Sequence, residues 1–251
     1  TSGMYSVLAN INAIKTIEVT LETSFQPNVS EILRVANVKT KLLFLCSPNN
    51  PTANSFDAVR IEELESNFKG IVVIDEAYID FSNTDSWISK LSDYPNLIVT
   101  QTLSKAYGMA GIRLGACYAS KAIITVLKGI KPPYNVNTLT QTRILERLSQ
   151  PKAISQEIHK ILEQRDWLAQ ELESVSCVDI VYPSDANFIL VKVDDANKRY
   201  SELIHKGIVI RNRSTQALCE NCLRFTVGSQ QENIKLIRTY TKPVSYKELK
   251  K

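Results

Sequence analysis

The chain has 251 residues, 44% of them hydrophobic and 22% charged, with a formal net charge of +4. That balance suits a folded globular protein of one large or two modest domains. It excludes a bilayer-spanning segment, since no apolar run approaches roughly 20 residues, and gives no basic, aromatic-interleaved stripe of the kind that binds nucleic acid. The start does not read as a signal peptide, because no basic stretch leads into an apolar one. Five cysteines, at 46, 117, 177, 219 and 222, form no regular framework, which suits a reducing, cytoplasmic setting.

In chain order, short β-branched and apolar runs at 41–46, 71–74, 97–100 and 114–119 predict strands. Helix-like stretches at 55–68 and 120–129 lie between or after them. Runs that are apolar without alternation predict strands buried on both faces, hence a mostly parallel sheet covered by helices. The first three runs end in polar residues: Ser47 to Asn50, Asp75 and Glu76, and Thr102 to Lys105. In open α/β sheets a ligand sits beyond the carboxyl ends of the strands, so these polar ends are the expected place for a site.

The texture changes after Pro132 and Pro133. Residues 136–149 and 152–174 predict two helices, with Pro151 near the start of the second, where proline is tolerated. Strand-like segments at 177–182, 188–193, 208–210 and 223–227 follow, with helices near 197–206 and 230–240. This is a second, α+β unit, so the expected division is residues 1–145 and 146–251.

Four short stretches can carry chemistry. Ser47 to Thr52, reading SPNNPT, is by itself an ordinary tight turn. Asp75 and Glu76, followed by Ala77 and Tyr78, could be a metal site or a solvated strand end. Lys105 follows Thr102 and Ser104 and precedes Gly108, Gly111, Arg113 and Gly115. A lone lysine is usually a surface residue, but one in a glycine-containing loop after a buried strand can present its amine to a ligand. Arg224 sits inside the apolar strand LRFTV, where its charge needs an anion. Cys219 and Cys222 have CxxC spacing but no second pair and no adjacent histidine, so no metal is expected. His159 and His205 read as surface residues, and Glu76 as a structural one.

Taken together, SPNNPT, DEAYIDF, TLSKAYGMAGIRLG and LRFTVG, preceded by Gly3-Met4-Tyr5-Ser6-Val7, resemble the fold-type I pyridoxal-phosphate aminotransferases. The wording is most similar to the histidinol-phosphate aminotransferases, from about residue 1 to about residue 240. The resemblance implies a truncated large domain with a mostly parallel sheet, over residues 1–145, that binds pyridoxal phosphate. It implies a smaller α+β domain over 146–251 and a homodimer. It makes Lys105 the amine that holds the cofactor and then moves a proton. Asp75 would meet the ring nitrogen, Asn50 and Tyr78 the phenolic oxygen, and Ser104, Arg113 and Thr102 the phosphate. Arg211 and Arg224 would bind substrate anions: the carboxylates of glutamate or 2-oxoglutarate, and the phosphate of histidinol phosphate. Asn187 matches a further motif without a role.

The resemblance also implies roughly a hundred residues before position 1 in family members, so this segment should expose apolar surface. Ser2 stands where the family has a ring-stacking tyrosine. Ala53 stands where it has a glycine, which would strain a positive φ. The implied reaction is amino transfer between glutamate and imidazole-acetol phosphate in histidine synthesis. A related aromatic aminotransferase, a threonine-phosphate decarboxylase and an inactive fragment remain open readings at this point. A nucleotide-binding domain lacks its glycine signature.

Overall fold

The computed structural model describes residues 3–241. Ser2 and the Lys-rich end, Lys247, Lys250 and Lys251, lie outside them. Two four-stranded sheets organise the chain. In the first, β1 (Leu42–Cys46), β2 (Ile71–Asp75) and β3 (Leu97–Thr102) run parallel in that order. The fourth strand, β4 (Gly115–Ala119), joins β3 antiparallel. The second sheet has the order β5 (Val178–Val181), β6 (Phe188–Val193), β8 (Cys222–Thr226) and β7 (Arg211–Asn212), and is antiparallel throughout.

Helices cover these sheets according to their apolar stripes. On the first sheet, α2 (Val29–Val35) and α3 (Ala58–Asn67) bury Val29, Ile32, Ile61 and Leu64 against Leu45, Val72, Ile74, Leu97 and Val99. The α2 start is capped by Asn28, which accepts from the Glu31 N–H at 3.1 Å, relieving one of the unpaired N–H groups of a helix end. On the second sheet, α6 (Pro151–Glu173), α7 (Ala196–His205) and α8 (Gln230–Thr241) surround Ile189, Val191, Val193, Leu223 and Phe225. Pro151 does stand in the first turn of α6, where its missing N–H costs no helix bond.

A third cluster joins the two sheets. Ala53, Tyr78, Phe81 and Ala106 from the first half meet Ala186 and Phe188 from the second, with Ile158, Ile161 and Leu162 of α6 beside them. Hydrogen bonds reinforce this seam. Asp185 accepts from the Ser55 N–H at 2.8 Å and its own N–H donates to the Ala53 carbonyl at 2.8 Å. Arg165 donates to the Phe81 and Ala186 carbonyls.

Two expectations need correction. The strands are not all covered on both faces. β4 is exposed along most of its length, and Leu42 and Phe44 of β1 are 47% and 39% exposed. The helices α1 (Met4–Ile11) and α4 (Lys121–Ile130) bury no residue. Between them and α5 (Thr138–Leu148), Ile11, Ile130, Tyr134 and Leu139 stand 74–92% exposed. The strand expected at 208–210 falls instead at Arg211–Asn212. Ile208 and Ile210 do enter the core, but the backbone partners of β8 are the next two residues. Among the described residues no helix is long and apolar enough to cross a membrane.

One buried charge sets a pH dependence. Glu65 lies on α3, four residues after Ile61, and is 4% exposed. Neither carboxylate oxygen has a hydrogen-bond partner, and burial pushes its pKa up to about 7. Between the ordinary value near 4.5 and about 7 the folded chain holds a proton that the unfolded chain has lost. Stability therefore falls as pH rises through this window, by about 3 kcal/mol in all. Glu65→Gln should raise the urea midpoint clearly at pH 8 and far less at pH 5. An equal gain at both pH values would contradict the assignment.

Candidate active site

The site lies where the carboxyl ends of β1, β2 and β3 meet β8. After β1 the chain turns through Ser47 to Thr52, and both Ser47-Pro48 and Asn50-Pro51 are cis. The Ser47 Oγ accepts from the Phe56 N–H at 2.9 Å, and Asn49 Nδ2 donates to Thr52 Oγ1 at 2.7 Å. This frames Asn50 at the rim. Ala53 follows with φ +67°, fully buried, so the strained geometry expected for an alanine is present.

β2 ends on Asp75. One of its carboxylate oxygens accepts from the Ala77 N–H at 3.1 Å; the other accepts from the Tyr5 hydroxyl. Glu76 points the other way and is 1% exposed. It accepts from the Trp87 N–H at 2.6 Å, Ser86 Oγ at 2.6 Å and Gln101 Nε2 at 2.8 Å, which makes it structural.

Between β3 and β4 a loop carries Lys105. It is pinned at its base, where the Leu103 N–H reaches the Leu114 carbonyl at 3.2 Å and the Met109 N–H reaches the Leu103 carbonyl at 3.0 Å. Gly108, with φ +67°, makes the turn that a side chain would resist. Lys105 itself is exposed, and its Nζ lies 5.2 Å from the centre of the Tyr78 ring. Thr102 Oγ1 donates to Ser104 Oγ at 2.9 Å and accepts from the Ser104 N–H at 3.1 Å. Arg113 stands at the end of the same loop in left-handed backbone, φ 58°, and donates to the Ala110 carbonyl at 2.9 Å. Two hydroxyls and an exposed guanidinium thus share one loop.

From the other half comes Arg224. Its Nη1 donates to Asn50 Oδ1 at 2.6 Å and its guanidinium lies 4.7 Å from the Phe188 ring. Phe188 in turn meets Tyr78 edge to face at 5.1 Å. The result is a continuous path of contacts from Lys105 through Tyr78 and Phe188 to Arg224 and Asn50. Arg211 pairs with Arg224 across β7 and β8, and Arg213 follows just beyond β7, its N–H donating to the Cys222 carbonyl at 2.9 Å. Burial, then Arg213 and later Arg211, lower the pKa of Arg224. Its Nε is buried without a hydrogen-bond partner, and among the described residues no carboxylate is paired with any of the three. Like charges facing one another across a strand pair oppose folding. A group of this kind is therefore suited to an anion.

Of the nine residues singled out in the sequence, Asn50, Asp75, Tyr78, Thr102, Ser104, Lys105 and Arg113 lie at the ends of β1, β2 and β3 or on the turns that follow, and Arg211 and Arg224 on β7 and β8; ring contacts and a hydrogen bond bring Lys105, Tyr78, Arg224 and Asn50 into one group. Asn187 adjoins it, as the residue before Phe188, its carbonyl accepting from the Val227 N–H at 3.0 Å. Two further residues carried no assignment in the sequence: Tyr5, whose contact with Asp75 spans 70 positions, and Arg213, which the every-second-residue spacing from Arg211 could have flagged. Cys219 and Cys222 are buried free thiols. Hydrogen bonding between them lowers the pKa of the first and raises that of the second. His159 is exposed and faces Glu163 at 3.2 Å.

The model of the "Aminotransferase class I and II" family matches residues 1–239. The histidinol-phosphate aminotransferase of Flavobacterium johnsoniae is 62% identical over 95% of this chain and 68% of its own length. That of Christiangramia forsetii is 54% identical over 96% of this chain and 69% of its own length. Among solved structures, the histidinol-phosphate aminotransferase of Clostridium acetobutylicum superposes with TM-score 0.87 at 22% identity, covering 95% of this chain and 74% of that one. The enzyme of that name from Sinorhizobium meliloti, solved in complex with pyridoxal-5'-phosphate, gives TM-score 0.85 at 21% identity over 94% of this chain and 66% of that one. Motif order, fold and a family match over residues 1–239 agree, and the chain belongs to the class I and II aminotransferases, within their histidinol-phosphate aminotransferase group.

Proposed function

We infer that this chain transfers an amino group between glutamate and imidazole-acetol phosphate, with pyridoxal phosphate as its cofactor, in histidine biosynthesis. The observation that supports the reading is the path of contacts that links Lys105, through Tyr78 and Phe188, to Arg224 and Asn50, with Asp75 at the end of the neighbouring strand β2. The residues present fit the cofactor. Thr102, Ser104 and Arg113 lie on one stretch of chain and offer hydroxyl and guanidinium donors suited to its phosphate, Asp75 suits its ring nitrogen, and Asn50 and Tyr78 suit its phenolic oxygen.

When bound, pyridoxal phosphate supplies an electron sink for the bond broken at the substrate's amine-bearing carbon. The side chains do the rest. Lys105 would hold the cofactor through its Nζ. The same amine, 5.2 Å from the centre of the Tyr78 ring, would move the proton at the reacting carbon. Asp75 keeps the proton on the ring nitrogen by its charge. Arg211 and Arg224 receive the carboxylates of glutamate in one half-reaction and the phosphate of histidinol phosphate in the other. Planar guanidinium groups can pair with either anion through two parallel bonds.

Residues 1–145 serve as the cofactor-binding domain and 146–251 as the smaller substrate-side domain in this reading. A homodimer in the cytoplasm completes it. The exposed apolar side chains of α1, α4 and α5 support a covered face, and five cysteines in no disulfide suit a reducing compartment. The test is reduction with borohydride in the presence of pyridoxal phosphate, followed by peptide mapping. One stoichiometric label on Lys105 is expected; labels scattered over surface lysines, or none, would refute the cofactor assignment.

A further inference from the structure

Tyr5 has no part in the chemistry assigned above, yet its surroundings single it out. α1 buries none of its residues fully, but the Tyr5 ring is stacked on Phe44, with centroids 4.6 Å apart and planes 28° apart. Its hydroxyl donates to Asp75 Oδ2, and Cys46 Sγ lies 3.2 Å from the same hydroxyl. Phe44 and Cys46 are two residues apart on β1, and Cys46 is the register partner of Asp75 on β2. All three therefore present one face of the sheet to Tyr5.

This arrangement gives each oxygen of Asp75 its own donor: the Tyr5 hydroxyl on one and the Ala77 N–H on the other. The last torsion of an aspartate is broad and poorly defined when free. Two donors from different elements fix it. An ionised carboxylate has about four acceptor sites, so capacity remains for a third donor from the cleft. Burial first, and then the neighbouring Cys46 and Asp75, push the Tyr5 ionisation far up, so its hydroxyl stays a donor throughout the working pH range.

We propose that Tyr5 is a positioning residue for Asp75, its hydroxyl holding the carboxylate in the orientation that meets the ring nitrogen of bound pyridoxal phosphate. The inference rests on the cofactor reading above. It differs from a purely structural role in what it controls: the protonation of the bound ring, read in the cofactor's absorption spectrum.

The experiment compares the parent protein with Tyr5→Phe, which keeps the stacked ring and loses only the hydroxyl. Pyridoxal phosphate affinity is measured by fluorescence, and the absorption of the bound chromophore is followed from pH 6 to 9. Tyr5→Phe should weaken cofactor binding about tenfold, the usual scale for losing a group that orients a ligand-holding residue, and should move the pH midpoint of the chromophore by about one unit. In an Asp75→Asn background the same change should add nothing further, because the partner is already altered. Phe44→Leu, which removes the stack and keeps the hydroxyl, should leave the midpoint in place. An unchanged Tyr5→Phe beside a parent that binds cofactor overturns this inference alone. So does a Tyr5→Phe that fails to fold, an undiminished effect in the Asp75→Asn background, or a Phe44→Leu that shifts the midpoint equally. A parent that binds no pyridoxal phosphate overturns the cofactor reading and this inference together.

Discussion

Replacing Lys105 by alanine should cut transamination by at least about 10⁴-fold, because in the proposed mechanism one side chain serves both as the cofactor's covalent anchor and as the base that moves the proton. That loss corresponds to about 5.5 kcal/mol of transition-state stabilisation. The fold should hardly notice. Lys105 is exposed, and the loop's own backbone bonds, from Leu103 to Leu114 and from Met109 to Leu103, do not involve its side chain. Surface substitutions of this sort change stability by about 0.5 kcal/mol or less. The variant should therefore show the parent's urea midpoint and almost no single turnover with glutamate. Activity within tenfold of the parent would remove Lys105 from the mechanism; a collapsed midpoint would show that the loop depends on the side chain.

Glu76→Ala should do the reverse, costing stability before any chemistry is asked for. Three donors converge on this buried carboxylate: the Trp87 N–H, Ser86 Oγ and Gln101 Nε2. Truncation leaves them without their acceptor, at about 1–3 kcal/mol for each group that stays buried and unpaired. A total loss of about 3–5 kcal/mol is expected, read from urea unfolding at neutral pH. Glu76→Gln keeps an acceptor oxygen and should lose less. A loss below about 1 kcal/mol for the alanine variant would mean that water takes over all three donors.

The placement of the candidate residues at strand ends and turns was readable in the sequence because each part is local. A strand end with Asp75, a loop with Ser104 and Lys105, and a turn with Asn50 are short words whose order carries the information. The apolar runs at 71–74 and 97–100 likewise matched their strands, since both are covered by α2 and α3. What escaped depends on long-range contact. The pairing of Tyr5 with Asp75 leaves no trace in the residues around either. The edge strand was misplaced because Ile208 and Ile210 satisfy the core while Arg211 and Asn212 satisfy the ladder. Apolarity reported the first requirement and said nothing of the second. The exposure of β4 was missed for the same reason: an apolar strand reads alike whether or not a neighbour covers it.

The bond between Arg224 and Asn50 joins positions 174 residues apart. A ribosome adding about 5–20 residues per second would finish Asn50 roughly 10–35 s before Arg224. Once β4 ends at Ala119, about 105 residues before Arg224 and so roughly 5–20 s at that rate, the first sheet can form with its lysine loop in place while Arg211 and Arg224 do not yet exist. Arg211 and Arg224 are made after the other seven candidate residues. Under the proposed reading, the part of the chain that chooses the substrate is therefore completed only after the part that holds the cofactor.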